Sequence, residues 1–160
     1  MPIIKDGAEV RDDPWLMLTD EMDVPTEGDV IIPLALASEK AERLSNHNGR
    51  IGIAIPNDVN IEDYAALIGT ADLIQLELPA FTDGRAYSQA RLLREELGFD
   101  KELRVKGDVL VDQAAYLKRC GFDSFDFDGP FDAEIWARTL SIISSGYQRN
   151  YRDSLKHRGA

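Results

Sequence analysis

The 160-residue sequence contains a single cysteine. That excludes an intrachain disulfide framework and any zinc or iron–sulfur centre built from several thiolates of this chain. No apolar run approaches the roughly 18 residues of a membrane span, and the opening Met1-Pro2-Ile3-Ile4-Lys5-Asp6-Gly7 lacks the apolar region of a signal peptide. A cytoplasmic protein without a membrane partner is the expectation. Basic residues are few: 18 Lys and Arg stand against 29 Asp and Glu, for a formal net charge of −11. Such a field repels a phosphate backbone, so no nucleic-acid partner is expected. Only two histidines occur, His47 and His157, in polar stretches without ligand spacing, which leaves a Ser-His-Asp triad without an evident base. Glycine-rich dinucleotide loops, Walker-type phosphate loops, paired CxxC, HExxH and nucleophile elbows are all missing. The expectation is no cofactor and no metal, which disfavours an autonomous redox enzyme.

What is present is ordinary for a globular chain, with 44% hydrophobic and 29% charged residues. The length suits one compact domain. Charge is uneven: residues 1–30 carry −7 and residues 147–160 carry +3. Three parts are expected. Residues 1–28 are an N-terminal hairpin and connector packed on the main domain, residues 29–146 a single α/β domain, and residues 147–160 a basic C-terminal tail.

Ile3-Ile4-Lys5 and Ala8-Glu9-Val10 flank Asp6-Gly7, a pair suited to the positive φ of a two-residue hairpin turn. Residues 11–28, with Pro14, Pro25 and Gly28, read as an irregular connector anchored by Trp15, Leu16 and Met17. From residue 29 strands and helices alternate. Strands are expected at 30–36, 51–56, 73–78, 103–106 and 124–128. Helices are expected at 38–44 (capped by Ser38), 60–68 (capped by Asn60), 85–97, 111–120 and 132–145. About five mainly parallel strands alternating with helices define an α/β fold, either an open layered sheet or a partial βα-barrel.

Ligands of such folds gather at the carboxyl ends of the strands, where loops enter the following helices. The sharpest such junction is Phe81-Thr82-Asp83-Gly84-Arg85-Ala86-Tyr87-Ser88. Thr82 or Asp83 can cap the helix, and Gly84 allows a tight backbone path. Arg85 in the first turn opposes the helix dipole unless Asp83 pairs with it or an anion lies between it and the amides. Residues 77–123 hold eight of the 18 basic side chains, a relative basic patch. Within it Arg91 and Arg94, three apart, are expected on the exposed side of their helix, beside Glu95. Gly107-Asp108 with Asp112 and Gln113 forms a second polar loop, where a capping role for Asp108 needs the fewest premises. Asp126 and Asp128 alternate with Phe125 and Phe127, the pattern of an exposed edge strand, although two carboxylates on one face also suit Mg²⁺ if other oxygens converge. Cys120, before Gly121, reads as a packing residue.

The run from Glu77-Leu78-Pro79-Ala80-Phe81-Thr82-Asp83-Gly84-Arg85 to Arg94 resembles a bacterial family of unknown function, the domain-of-unknown-function 934 family. So do Gly107-Asp108-Val109-Leu110, Asp112-Gln113 and Arg119-Cys120-Gly121-Phe122-Asp123. The opening Ile4-Lys5-Asp6-Gly7 and the region from Leu34 to Pro56 also fit. Members of that family carry the label of probable oxidoreductases of sulfite reduction, because their genes lie beside those for sulfite reductase. The resemblance implies a cytoplasmic role in assimilatory sulfite reduction, with sulfite reductase as partner. With one cysteine this chain is not the sirohaem and iron–sulfur subunit, whose cluster needs four thiolates. Two readings follow: an accessory protein docking through the Phe81–Arg94 surface, or a small enzyme or binding protein for an anion. The anion would be sulfite, sulfate or a phosphorylated metabolite, held by Arg85, Tyr87, Ser88 and the Gly84–Ser88 amides.

Overall fold

The computed structural model describes residues 2–129 and 131–144. The tail expected over 147–160, His157 within it and the last residue of the expected 132–145 helix lie outside the described residues. The chain opens with the expected hairpin, β1 (Ile3–Lys5) against β2 (Ala8–Val10), with Ile3 opposite Val10. Asp6 (φ 53°) and Gly7 (φ 79°) both adopt the left-handed conformation that matches the twist of such a turn. Then come β3 (Leu16–Met17), β4 (Val30–Pro33), β5 (Ile51–Ile55), β6 (Leu73–Leu78), β7 (Glu102–Gly107) and β8 (Ser124–Phe127). These six run parallel in chain order, and β1 joins β8 antiparallel, giving the order β2-β1-β8-β7-β6-β5-β4-β3.

Helices α1 (Leu34–Glu39), α2 (Ala41–Leu44), α3 (Ala65–Ile68), α4 (Arg85–Glu95), α5 (Ala114–Cys120) and α6 (Ala133–Ser144) follow the strands. Parallel neighbours in sequential order, with every crossover of the same hand, put the helices on one face of the sheet, the face of the main apolar core. Three expectations are corrected. The connector supplies a sixth parallel strand, β3, too short for periodicity to reveal. The apolar run 30–36 divides at Pro33, whose φ of −55° and ψ of 140° end β4 and start α1, so Leu34–Leu36 are helical and Ser38 lies inside the helix. Asn60 makes no side-chain capping bond, and the first turns after it and after Leu110 are 3-10.

The sheet is strongly curled, and chain length alone requires it. Seven inter-strand steps separate β2 from β3, about 33 Å along the sheet at ~4.8 Å each. Only Arg11–Trp15 join Val10 to Leu16, and six residue steps reach at most ~22 Å. An arc of ~33 Å fits over a chord of ~22 Å only if it bends through roughly half a circle. The fold is therefore a half-barrel, with residues 11–15 as a strap across its hollow.

The helix-bearing face is apolar. Ile32, Ile53, Ile55, Ile74, Leu76, Leu103, Val105, Phe125 and Phe127 are fully buried against the helices, and Trp136 of α6 packs edge-on to Phe125 at 4.7 Å and Phe127 at 5.7 Å. The hollow face differs. A small apolar cluster of Ile31, Ala54 and Leu73 meets Trp15 and Met17, while Gln75, Arg104, Ser124 and Asp126 are buried polar residues. Asp126 thus lies on an interior strand between β7 and β1. The alternation of acids and phenylalanines marks a polar hollow rather than an exposed edge.

Candidate functional site

The carboxyl ends of β5, β6 and β7 carry a continuous polar rim. At its centre, the corner between β6 and α4 is organised by Asp83. Asp83 Oδ1 accepts the amide of Arg85 at 3.1 Å, which caps α4 from one residue outside Gly84. Its two oxygens also take the guanidinium, from Arg85 Nε at 3.0 Å and Nη2 at 2.7 Å. Asn57, from the loop after β5, donates Nδ2 to Asp83 Oδ2 at 2.7 Å. The Arg85 guanidinium, then the Arg85 amide, hold the Asp83 carboxyl down at about 2. Of the two accounts of Arg85, the local pair is the one formed, and the guanidinium remains largely exposed.

The second polar loop grips the first. Asp108 Oδ2 accepts the amide of Phe81 at 3.0 Å, and Gln113 Nε2 donates to the Phe81 carbonyl at 3.4 Å. With both backbone groups held, the Phe81 ring is turned to solvent and is 44% exposed. Asp108 therefore satisfies a neighbouring loop and does not cap its own helix, a correction to the expected role. Gly107 has φ 131°, and a Cβ there would collide with the Leu78 carbonyl, so the kink that aims Asp108 at Phe81 requires glycine. Thr82, Ser88 and Asp112 are exposed on this rim.

Tyr87 is buried, its ring edge-on to Tyr116 of α5 with centroids 5.2 Å apart, and its hydroxyl has no hydrogen-bond partner among the described residues. Burial is the main cause pushing that phenol up. Its hydroxyl is thus enclosed rather than presented on the exposed rim. Tyr116 itself is 50% exposed. Cys120 is buried, and burial raises its thiol, as suits a packing residue.

Arg94 reverses its expectation. Its side chain is fully buried at the opposite end of α4. Nη1 donates to the carbonyls of Phe99 (2.7 Å) and Lys101 (2.9 Å), Nη2 to the Gly121 carbonyl (2.7 Å) and to Asp123 Oδ2 (2.9 Å), and Nε to Gly121 (3.1 Å). The i, i+3 spacing from exposed Arg91 misled because α4 turns its last arginine under the ends of two helices. His47 is likewise anchored: Nδ1 and Nε2 lie 2.8 and 2.6 Å from the carbonyls of Pro25 and Gly28.

Sequence reasoning missed the charged interior of the hollow. Arg104 on β7 makes a bidentate pair with Asp13 of the strap at 2.9 and 3.0 Å and contacts Glu102 at 3.3 Å. Glu102 also accepts from Lys5 (2.7 Å) and Ser124 (2.8 Å). The available signal was the period-2 spacing of Glu102, Arg104 and Lys106 on one face of a strand. Among the described residues no group of three or more His, Cys, Asp or Glu is arranged to hold a metal ion, and no helix is long and apolar enough to cross a membrane.

The fold and rim define an α/β half-barrel with a structured surface at the carboxyl ends of its strands. Residues 52–157 match the family described as bacterial protein of unknown function (DUF934), and the chain belongs to that family. The match takes in the whole rim from Asn57 to Gln113. No match is found among the curated proteins.

Proposed function

We propose that the protein is an accessory partner in assimilatory sulfite reduction, docking on sulfite reductase through the outer face of α4 and the adjoining rim. The observation that carries this reading is the pair of exposed rings, Phe81 and Tyr116, beside Arg85, Ser88 and Arg91, which recur every third residue along the exposed side of α4. Aromatic residues and arginine are the types enriched at the centres of protein interfaces. Phe81 is held outward by hydrogen bonds to both its backbone groups, which lowers the entropy lost on docking. The choice of sulfite reductase rests on the family resemblance; the geometry supports docking at this face.

The competing reading is an anion cradle at Gly84–Ser88. Arg85 is already bonded to both oxygens of Asp83, so an anion must displace a carboxylate to use it, which favours docking. Binding of the protein to immobilised sulfite reductase tests the proposal. Arg91→Glu and Tyr116→Ala should each weaken retention about tenfold, as truncated interface anchors do. If wild type is not retained, and sulfite instead binds saturably in a manner lost in Arg85→Ala, the anion reading replaces this one.

A further inference from the structure

The groove between α4 and α5 is built in layers. Both helices follow parallel strands and return along the same face of the sheet, so they run parallel to each other. Tyr87 and Tyr116 meet across the groove with ring centroids 5.2 Å apart, the first buried as its floor and the second half exposed as its wall. One turn further along each helix come Arg91 and Arg119, four and three residues on, or about 6 and ~4.5 Å of rise. Both arginines are exposed. Burial raises the Cys120 thiol at this level, and Tyr116, Arg91 and Arg119 oppose it, so the two guanidiniums approach one buried sulfur from neighbouring helices. An aromatic layer is therefore followed by a basic one.

The charge of these two helices runs against that of the chain. Residues 84–94 and 113–122 hold five basic side chains and none of the 29 acidic ones, in a protein whose formal net charge is −11. Exposed Glu95 and Asp112 mark the two ends of the groove, so the favourable stretch is about two turns long. We propose that the α4–α5 groove receives a short acidic segment of a partner protein, with an apolar side chain on the Tyr116 layer and carboxylates one turn away on Arg91 and Arg119. Guanidinium suits carboxylate through its paired N–H donors, and Tyr116 offers a rigid ring that loses little freedom on contact. A nucleic acid brings its negative charge on an extended phosphate backbone, which the acidic remainder of this chain repels. The inference rests on the docking reading for its face and adds the chemistry of what docks there.

The probe is a peptide of three Glu-Glu-Leu repeats, blocked at both ends, titrated into the isotope-labelled full chain at low salt and followed by NMR. Amides around Arg91, Tyr116 and Arg119 should shift with a Kd on the order of 1 mM, and the affinity should fall as salt is raised. Arg119→Gln should weaken the peptide about threefold and Arg119→Glu about tenfold. The Arg119 side chain is exposed, so far-UV circular dichroism of both variants should match wild type. A Lys-Lys-Leu peptide should leave these amides unmoved, and a Glu-Glu-Ser peptide should bind at least about threefold more weakly. The proposal is overturned if wild type shows no shift, if the shifts fall on another face, or if the Glu-Glu-Ser peptide binds equally well. Tighter binding of hexauridylate at the same face overturns it as well. Peptide binding without retention on sulfite reductase removes that partner and keeps the acidic segment. Retention on sulfite reductase that Arg119→Glu leaves unchanged, with no peptide shift, keeps the docking reading and removes the segment.

Discussion

Arg94 offers the severest check on the physical account of this fold. Its guanidinium is buried and serves the carbonyls of Phe99, Lys101 and Gly121 together with Asp123, joining the end of α4, the end of α5 and the starts of β7 and β8. Asp123 Oδ2 in turn accepts the amide of Leu103 at 3.0 Å. Arg94→Ala removes one partner of a buried ion pair, which costs about 3–5 kcal/mol, and leaves buried carbonyls unpaired at about 1 kcal/mol each. Allowing for water entering the vacated space, the loss should be about 4–6 kcal/mol, a large part of the 5–15 kcal/mol that typically holds a domain folded. Urea unfolding followed by circular dichroism measures it, with Arg91→Ala on the exposed side of α4 as the control, expected within about 0.5 kcal/mol of wild type. Arg94→Lys should still lose about 2 kcal/mol or more, because one ammonium cannot span acceptors that a planar five-donor fork reaches. An Arg94→Ala protein within about 1 kcal/mol of wild type, at unchanged denaturant slope, would refute the claim that this side chain ties the two helix ends together.

Three further outcomes follow from local geometry. The Asp83 carboxyl should titrate near 2 by NMR and return toward the ordinary 3.8 in Arg85→Ala. A depressed folded-state carboxyl stabilises above its unfolded value and ceases to do so as pH falls through about 2, so wild type and Arg85→Ala should converge in stability in strong acid. Asp126 has the opposite sign: burial raises its carboxyl, with Lys106 and then Arg104 opposing. Folding then favours the protonated form, stability falls as pH rises above the ordinary carboxylate range, and Asp126→Asn should match or exceed wild type at pH 7 but lose that advantage in acid, as thermal unfolding against pH would show. Gly107→Ala should cost about 2–4 kcal/mol, from left-handed strain plus the collision with the Leu78 carbonyl. Gly98→Ala, at φ 66° with open space for a Cβ, should show the strain alone, about 1 kcal/mol in the same urea assay.

The parallel α/β plan was legible because each βα unit repeats two periods in turn, and the hairpin was legible because Asp6-Gly7 carries its own turn geometry. The boundary at Pro33 was not, since an apolar run from Val30 to Leu36 suits a strand and a buried helix equally, and only the change in φ and ψ divides it. At the rim, the pairing of Asp83 with Arg85 could be reasoned from adjacency. The grip of Asp108 and Gln113 on Phe81 could not, because it joins residues 27 and 32 apart whose loops meet only once β6 and β7 pair. Arg94 shows the limit most sharply. Helical periodicity places a side chain around an axis, but whether a long arginine meets water or the end of the next helix depends on the length of that helix and its turn at Gly121.

The strap connects the acidity of the first thirty residues to the curl of the sheet. A half-barrel exposes an inner face that a closed barrel would fill, and here that face carries Arg104, which stays charged at any working pH. A chord too short for a flat sheet brings Asp13 across the hollow, where both its oxygens meet the Arg104 guanidinium. Trp15, two residues further along the strap, stacks beneath the Arg50 guanidinium at 4.8 Å, and Arg50 is itself held by Asp29 through bonds of 2.6–3.0 Å. Buried pairs of this kind add little net stability over an apolar filling, so their contribution is better sought in register. Sliding the strap by one residue would present Asp12 or Pro14 to Arg104 and move Trp15 away from Arg50. The acidic head thus includes a structural element whose charge locks one crossing of the hollow. That crossing covers the part of the inner face that carries Glu102 and Arg104.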